Sequence, residues 1–469
     1  MLILVQSISP QLRENLRSFL LASLPYLILC AFALLFTALS MDEYTYLEMG
    51  SFFSQGKVLQ APDSSRFPVF PWLLTAWSLP FGHSILSARL LNILIGLACL
   101  ALVFAIASRL FSKRAAFYSV LFLGSSPFFA FLSSKVISEP LFFLLLTACV
   151  YLVFKSVERK AALIPLGALF SLLVLSRFFG LYLAPVALVF WHSRKRLDLL
   201  RTREFLYGAA ASVAVFLPWL ALSYYATGDA LGFFKEFFLS NVQLFQGGFA
   251  LPDRIASYAL FAPFIAGAAI IPIALVLRLL LAKVKSSCNH AAGTLGDDFI
   301  YLLVLSSVII TLSLEAYGFL HFRLLRYLVP IAPFVALLAG WASDHVLEGR
   351  PAGVWPRRLN ISKKMLARAL IALVALNMLV GAFVIGKFGT SPKQAGYDIV
   401  GKYAAQNCAS YYSNVERVIY YYASKPQVDI SQADCAIQST FDPNVVNANY
   451  TSGRTLVFEQ SGMRVYRKN

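Results

Sequence analysis

The sequence is poor in charged residues. Only 13% of its 469 residues are Asp, Glu, Lys or Arg, whereas soluble domains carry about 25%. Hydrophobic residues make up 59% of the chain, and the mean hydropathy is +0.69. These values exclude an ordinary soluble protein and indicate a polytopic membrane protein. The 40 Phe and 22 Tyr residues fit this class, because aromatic rings anchor at the headgroup level of a bilayer.

Motifs for zinc binding and for processing are also missing. The six cysteines form no CxxC motif and no His/Cys cluster, so no zinc site is indicated. The first long apolar run begins too far from the start and lacks a small-residue cleavage site, which argues against a cleavable signal peptide. Cys30, Cys99 and Cys149 lie within apolar runs, where we expect them to pack.

Charge-free apolar runs mark the candidate membrane spans. There are eleven of them: 18–41, 90–108, 115–134, 140–154, 161–176, 178–191, 205–228, 255–277, 299–314, 327–343 and 369–386. The fifth and sixth are too short to cross about 30 Å at 1.5 Å per residue. They are either a shallow hairpin or tilted spans whose ends reach past the flanking charges.

The basic residues predict the orientation of these spans. With a cytoplasmic N-terminus, the inner segments hold 22 Lys and Arg, and the outer loops before the C-terminal tail hold nine. Every inner segment is basic, as the positive-inside rule requires. The net charge of +17 is therefore explained by orientation beside anionic lipids, and no nucleic-acid partner is implied. We expect an integral plasma-membrane protein.

An odd number of spans places the C-terminus outside. We predict a transmembrane module over 1–387 and a small extracytoplasmic α/β domain over 388–469. Its predicted elements are a strand at SYYSN, a helix at VERVIYYYASK, a strand at QVDIS and a hairpin within TLVFEQSGMRVYRKN. Cys408 and Cys435 either form a disulfide in this oxidising location or remain free.

Two acidic residues stand directly after the first span. Asp42 and Glu43 follow 24 residues without charge, and ionisable groups at membrane boundaries are often functional. An acidic pair also simply ends a helix in many proteins. The predicted outer loops add further polar side chains to the same face: Arg66, Lys135, Glu139, Arg177, His321, Arg323, Arg326 and Tyr327.

Each of these residues has an ordinary structural explanation. Lys135 and Glu139 are close enough in sequence to pair at a helix end, and Arg177 is placed to extend towards the lipid headgroups. An interfacial histidine such as His321 is usually a structural residue. Their coincidence on one predicted face nevertheless favours a shared site.

The set suits a sugar transferase that uses a lipid-phosphate-linked sugar. A carboxylate takes the proton of the acceptor hydroxyl as its oxygen attacks the anomeric carbon. The leaving phosphate is already acidic, so it needs cations to balance its charge and no proton donor. With a carboxylate base and no covalent intermediate, the anomeric configuration inverts, as in inverting glycosidases.

Several segments resemble those of the GT-C glycosyltransferases, with the strongest likeness to the protein O-mannosyltransferase and aminoarabinose-transferase branch. The resemblance covers roughly residues 35–345 and is carried, in order, by MDEYTYLEMG, RFPVFPW, SSPFFAFLSSKVISEPLFF, LSRFFGLYLAP and HFRLLRYLVPIAPFVALLAG. It implies a polytopic GT-C-like fold and a polyprenyl-phosphate sugar donor used on the extracytoplasmic side. A DxD-type motif is absent, so metal dependence is not expected.

The resemblance also implies residue roles. Asp42 matches the proposed catalytic base, and Glu43 and Glu139 match neighbouring acidic positions, although many relatives have Asp in place of Glu139. Arg326 and Tyr327 match a position that contacts the donor phosphate, and Arg177 stands where relatives often carry Lys. We add Lys135 and Arg66 as further phosphate-binding candidates, and His321 and Arg323 as accessory or acceptor-binding candidates.

Two other classes of function remain open on the sequence. A transporter or flippase of a lipid-linked saccharide would be expected to show internal repeats and polar groups near the midplane, and neither is evident. A non-catalytic scaffold does not explain the acidic pair. The sugar is not specified by the sequence, and the acceptor is a protein, a lipid or a glycan.

Overall fold

The structure is a computed structural model. It describes residues 9–37, 39–58, 66–235, 295–316, 329–348, 363–389, 392–413, 432–439, 454–460 and 463–468. The predicted span at 255–277, the helix at VERVIYYYASK and the strand at QVDIS lie outside these residues. So do the site candidates His321, Arg323, Arg326 and Tyr327.

Helices make up most of the described chain. In chain order they are α1 (Pro10–Phe36), α2 (Met41–Ser54), α3 (Val69–Phe81), α4 (Ile85–Leu110), α5 (Lys113–Gly124), α6 (Pro127–Ser133), α7 (Glu139–Glu158), α8 (Leu163–Ser176), α9 (Leu183–Ser193), α10 (Arg203–Thr227), α11 (Leu295–Ala316), α12 (Ala332–Glu348), α13 (Lys363–Gly389) and α14 (Pro392–Asn407).

Within the described ranges, five helices are long and apolar enough to cross a membrane: α1, α4, α7, α10 and the apolar part of α13. A sixth span results if α5 and α6, which meet at an angle of 69°, count as one broken crossing. The sequence predicts a single span over 115–134. The chain breaks it at Ser125 and Ser126, because Pro127 cannot donate to a continuing helix and disfavours helical geometry in the residue before it.

The short fifth and sixth predicted spans are helices of 14 and 11 residues, α8 and α9. Helix α8 crosses α10 at very close range, since a Cβ atom on Gly167 would overlap the carbonyl oxygen of Gly208. This contact requires glycine at position 167 and brings the two backbones together. The buried core of the bundle runs through α1, α4, α5, α7 and α12.

Helix α2 begins because of a capping box. The hydroxyl of Ser40 accepts a hydrogen bond from the backbone N–H of Glu43, and the Glu43 carboxylate accepts one from the backbone N–H of Ser40 at 2.9 Å. Helix α1 ends before it, at Phe36, with Thr37 as its C-cap. The predicted span 18–41 is therefore not one helix, because α1 ends at Phe36 and α2 begins at Met41. Asp42 and Glu43 lie in the first turn of α2.

The C-terminal unit contains α14 and a four-stranded sheet. Its strands are β1 (Tyr411–Ser413), β2 (Cys435–Ser439), β3 (Arg454–Gln460) and β4 (Met463–Lys468), in the order β1-β2-β4-β3. The β1–β2 pair is parallel and the other two pairs are antiparallel. The strand at SYYSN and the C-terminal hairpin strands appear where the sequence predicts them, whereas β2 was not predicted.

Cys408 and Cys435 form a disulfide between the end of α14 and the start of β2. The bridge joins residues separated by 27 positions in sequence. Reducing it is expected to destabilise the C-terminal unit by about 3 kcal/mol, because the bridge restricts the unfolded chain. Thermal unfolding and limited proteolysis with and without reductant measure this effect. Equal protease resistance of the unit in both conditions would contradict it.

Candidate active site

Glu43 is the centre of a buried ionic network. Its side chain is fully buried, and its carboxylate accepts hydrogen bonds from Arg89 Nε at 2.8 Å, Lys135 Nζ at 3.1 Å and the backbone N–H of Val136 at 3.2 Å. The hydroxyl of Ser40 also donates to it, at 3.0 Å. A buried carboxylate is stable only with such a set of partners. Glu43 therefore holds α2 against the N-terminal end of α4 and the loop that follows α6.

Arg89 is a second organising residue, which the sequence did not single out. It lies in the first turns of α4, and its Nη1 donates to the backbone carbonyl of Thr37 at 3.0 Å. One guanidinium thus contacts both the C-cap of α1 and, through Glu43, the first turn of α2, and it ties these two helix ends together. The only sequence indication was its position as a cation at the start of the second apolar run.

Asn92, one turn after Arg89, holds the loop that carries Lys135. Its Nδ2 donates to the backbone carbonyl of Ile137 at 2.8 Å and also contacts the carbonyl of Lys135. Lys135 is only 4% exposed. The loop between α6 and α7 is therefore held by two adjacent turns of α4.

The pKa of Glu43 reflects this network. Burial alone raises the pKa of a carboxyl, but the charges of Lys135 and Arg89 and the hydrogen bonds to the carboxylate outweigh it, so the pKa lies below its ordinary value. A carboxyl with a depressed pKa stabilises the fold above its unfolded pKa, and this contribution is lost as the pH falls through the folded value.

This pKa shift makes a prediction about acid stability. The difference in unfolding temperature between the wild type and Glu43→Gln is expected to be constant above about pH 5 and to shrink below about pH 4, where the unfolded carboxyl becomes protonated. Thermal unfolding of both proteins across this range measures it. A difference that grows towards acid pH would contradict the network described here.

Asp42 occupies a different environment from its neighbour. Its side chain is 26% exposed, and its Oδ1 lies 2.8 Å from Nη2 of Arg66, which is 30% exposed. The Arg66 guanidinium also lies over the ring of Tyr46, 5.4 Å from its centroid. Asp42 is therefore held in position by an arginine while it remains accessible to solvent.

Glu139 and Arg177 form the next ion pair, with 2.5 Å between Oε1 and Nη1. Glu139 is in the first turn of α7 and is buried, and Arg177 follows α8 with 16% of its side chain exposed. The Tyr46 hydroxyl, which is hydrogen-bonded to Ser138 at 3.0 Å, links this pair to α2. Lys135 and Glu139 thus each have another partner, Glu43 and Arg177 respectively.

The structure brings six of the predicted residues to one end of the bundle: Asp42, Glu43, Arg66, Lys135, Glu139 and Arg177. They form one region at the ends of α1, α6 and α8 and the starts of α2, α4 and α7. In the part of the chain that the structure describes, no group of three or more His, Cys, Asp or Glu side chains is arranged to hold a metal ion.

Residues 62–222 match the family described as dolichyl-phosphate-mannose-protein mannosyltransferase. The fold is similar to that of ArnT from Cupriavidus metallidurans bound to undecaprenyl phosphate, with a TM-score of 0.68, 15% sequence identity, and coverage of 96% of this chain and 97% of that one. The chain has the fold of the GT-C glycosyltransferases. The predicted fold class, a polytopic helical membrane protein with a small sheet, is confirmed.

A second GT-C fold supports the same conclusion. The Archaeoglobus fulgidus oligosaccharyltransferase AglB, in complex with an inhibitory peptide and a dolichol-phosphate, has a TM-score of 0.56 at 13% identity. The alignment covers 88% of this chain and 64% of that longer one. No curated protein sequence matches this chain. The family match over residues 62–222 and the similar fold together indicate a glycosyltransferase, as the sequence resemblance predicts.

Proposed function

We propose that this GT-C protein transfers a sugar from a polyprenyl-phosphate donor to an acceptor hydroxyl on the extracytoplasmic face of the membrane, with inversion. The observation that carries the proposal is the contrast between the two acidic neighbours. Glu43 is enclosed by cations and backbone donors, whereas Asp42 is partly exposed beside Arg66. Of these two carboxylates, Asp42 is the one that is accessible to a substrate.

Asp42 is the proposed general base. The acceptor oxygen attacks the anomeric carbon, its proton passes to the Asp42 carboxylate, and the bond between that carbon and the phosphate oxygen breaks. Polyprenyl phosphate leaves with the bonding electron pair. Because one displacement occurs, on the face opposite the leaving group, the anomeric configuration inverts. Arg66 orients the base through its 2.8 Å contact.

The donor phosphate requires exposed cations. Arg66 and Arg177 each keep part of their side chain accessible, and bidentate guanidinium groups suit phosphate. Arg326 and Tyr327 remain further predicted phosphate contacts, and His321 and Arg323 remain predicted acceptor contacts. Lys135 is buried against Glu43, so its main proposed role is to hold α2 in place. Glu139 holds Arg177 through a similar ion pair.

The structures of two similar proteins support a polyprenyl phosphate as the lipid carrier of the donor sugar. ArnT was captured with undecaprenyl phosphate and AglB with a dolichol-phosphate. A polyprenyl phosphate also explains why the site lies at the end of a helical bundle, where a membrane-embedded tail and a polar headgroup meet. We propose a polyprenyl-phosphate sugar of the same general kind for this chain.

The charge bias supports the proposed side of the membrane. Ion pairs join segments that the positive-inside rule places on the same side. At the end opposite the site, Lys113 pairs with Glu14, and Arg194 pairs with Asp298. All four belong to predicted inner segments, and the site residues all belong to predicted outer loops. The pairing agrees with a site on the extracytoplasmic face.

A labelled donor tests the proposal. Purified protein is incubated with polyprenyl phosphate carrying a radiolabelled sugar and with hydroxyl acceptors of the protein, lipid and glycan classes. Release of free polyprenyl phosphate together with label on an acceptor is expected. In sealed vesicles, a transporter would move the intact donor across the bilayer, and a scaffold would leave it unchanged. Either of these results would contradict the proposal.

A further inference from the structure

The segment that carries Asp42 also packs against the C-terminal unit. Leu39 and Tyr44 are each 2% exposed and belong to one cluster with residues of that unit. We call this cluster the shared core; its buried members are Leu39, Tyr44, Val400, Ala404, Cys408, Tyr411, Cys435, Ile437, Met463 and Val465. Two segments more than 350 residues apart in sequence thus share a single apolar core.

The residues that the C-terminal unit contributes to the shared core recur at regular intervals in the sequence. Val400, Ala404 and Cys408 recur every four residues and therefore line one face of α14 and its end. Met463 and Val465 alternate along β4 and lie on one face of the sheet. The disulfide between Cys408 and Cys435 joins the two layers within this core.

The first turn of α2 is consequently held from two directions. Successive residues of a helix point about 100° apart, so Asp42, Glu43 and Tyr44 face three different ways. Glu43 is fixed to the bundle by Arg89 and Lys135, and Tyr44 is fixed in the shared core. Asp42 lies in the same helical turn, so its position depends on both of these contacts.

We propose that the C-terminal unit positions the catalytic base, with Leu39 and Tyr44 as the positioning residues through which it acts. The inference rests on the proposed function and deepens it. A general base must lie within hydrogen-bond reach of the proton it takes, and a displacement of 1 Å is able to cost about 10²-fold in rate. Loosening the shared core is therefore expected to slow the chemical step without changing donor binding.

Two adjacent residues of β4 provide a matched pair of variants. Val465 lies in the shared core, whereas Tyr466 faces the other side of the sheet, where it clusters with Ala436 and Tyr412. Both side chains are buried in the same strand. Tyr466→Ala removes the larger side chain, so simple destabilisation of the unit would make it at least as harmful as Val465→Ala.

The test measures kcat and the KM for a polyprenyl-phosphate sugar in both variants. Val465→Ala is expected to lower kcat about tenfold at unchanged donor KM, and Tyr466→Ala is expected to change kcat less than about twofold. Leu39→Ala reaches the same core from the other side and should reproduce the first result. If Val465→Ala fails to fold, Leu39→Ala takes its place in the test.

A double-variant cycle separates positioning from a loss of folded protein. If Val465 acts through Asp42, Val465→Ala adds less than about a twofold loss to the residual rate of Asp42→Asn. A full further tenfold loss, an effect on acceptor KM alone, or equal effects of Val465→Ala and Tyr466→Ala would each overturn the inference. If Asp42→Asn keeps the wild-type rate, the assignment of Asp42 as the base in the proposed function fails instead, and a failure to release polyprenyl phosphate in the wild type would contradict sugar transfer itself.

Discussion

Asp42→Asn is expected to lower kcat for sugar transfer by about 10²- to 10⁴-fold, the range that positioned general bases supply. Asparagine keeps the size and the polar contacts of the side chain but does not accept a proton. Asp42 is partly exposed and is not the centre of the buried network, so membrane insertion and thermal stability should change little. Steady-state transfer and thermal unfolding of the purified variant measure both parts.

A carboxylate elsewhere on the chain provides the control for Asp42→Asn. Glu459 pairs with Arg464 on the surface of the C-terminal hairpin, and Glu459→Gln removes the same charge far from the site in sequence. It should transfer sugar at the wild-type rate. If Asp42→Asn and Glu459→Gln were equally active, Asp42 would not be the base.

Glu43→Gln is expected to have the largest effect on stability. Removing one partner of a buried ion pair costs about 3 to 5 kcal/mol, because it leaves an uncompensated charge in the interior. Here two cations, Arg89 and Lys135, lose their carboxylate at once. The unfolding temperature should fall clearly, and transfer should fall with it because α2 loses its attachment to the bundle.

Two comparisons make the Glu43 prediction specific. Glu158 pairs with Lys155 near the surface at 2.7 Å, and Glu158→Gln should cost less than about 1 kcal/mol. Adding Lys135→Met to Glu43→Gln should recover part of the lost stability, because it removes one of the stranded charges. If the surface and buried variants had equal effects, or if the second substitution only added damage, the network would not have the role described here.

The sequence was sufficient to predict the class of fold, and six of the predicted site candidates lie together in the described part of the chain. Charge-free runs predicted apolar helices, and the two β-rich runs on either side of Ser461 and Gly462 predicted the pairing of the last two strands. The ends of elements were less predictable. Helix α1 begins at Pro10, eight residues before the charge-free run, because Ser9 caps it and helices tolerate charged residues in their first turns.

The sequence alone does not predict which residues of the site pair with one another. Glu43 meets Arg89 and Lys135 across 46 and 92 residues of chain, and no local pattern predicts such pairings. Lys135 and Glu139 are only four positions apart and are natural partners on the sequence, yet the loop between α6 and α7, which Asn92 holds, places Lys135 against Glu43 of α2 instead. The shared core also joins distant segments, since Leu39 and Tyr44 appear in the sequence only as apolar residues beside the acidic pair.

The stereochemistry of transfer tests the central claim most directly, namely that the sugar passes in one step from lipid phosphate to an acceptor hydroxyl activated by Asp42. The measurement is the anomeric configuration of the product by NMR, with a donor of known configuration and the wild-type protein. One displacement predicts a product of opposite configuration, with one polyprenyl phosphate released per sugar transferred. A product that retains the donor configuration would contradict the account, because one displacement from the face opposite the leaving group always inverts the anomeric carbon.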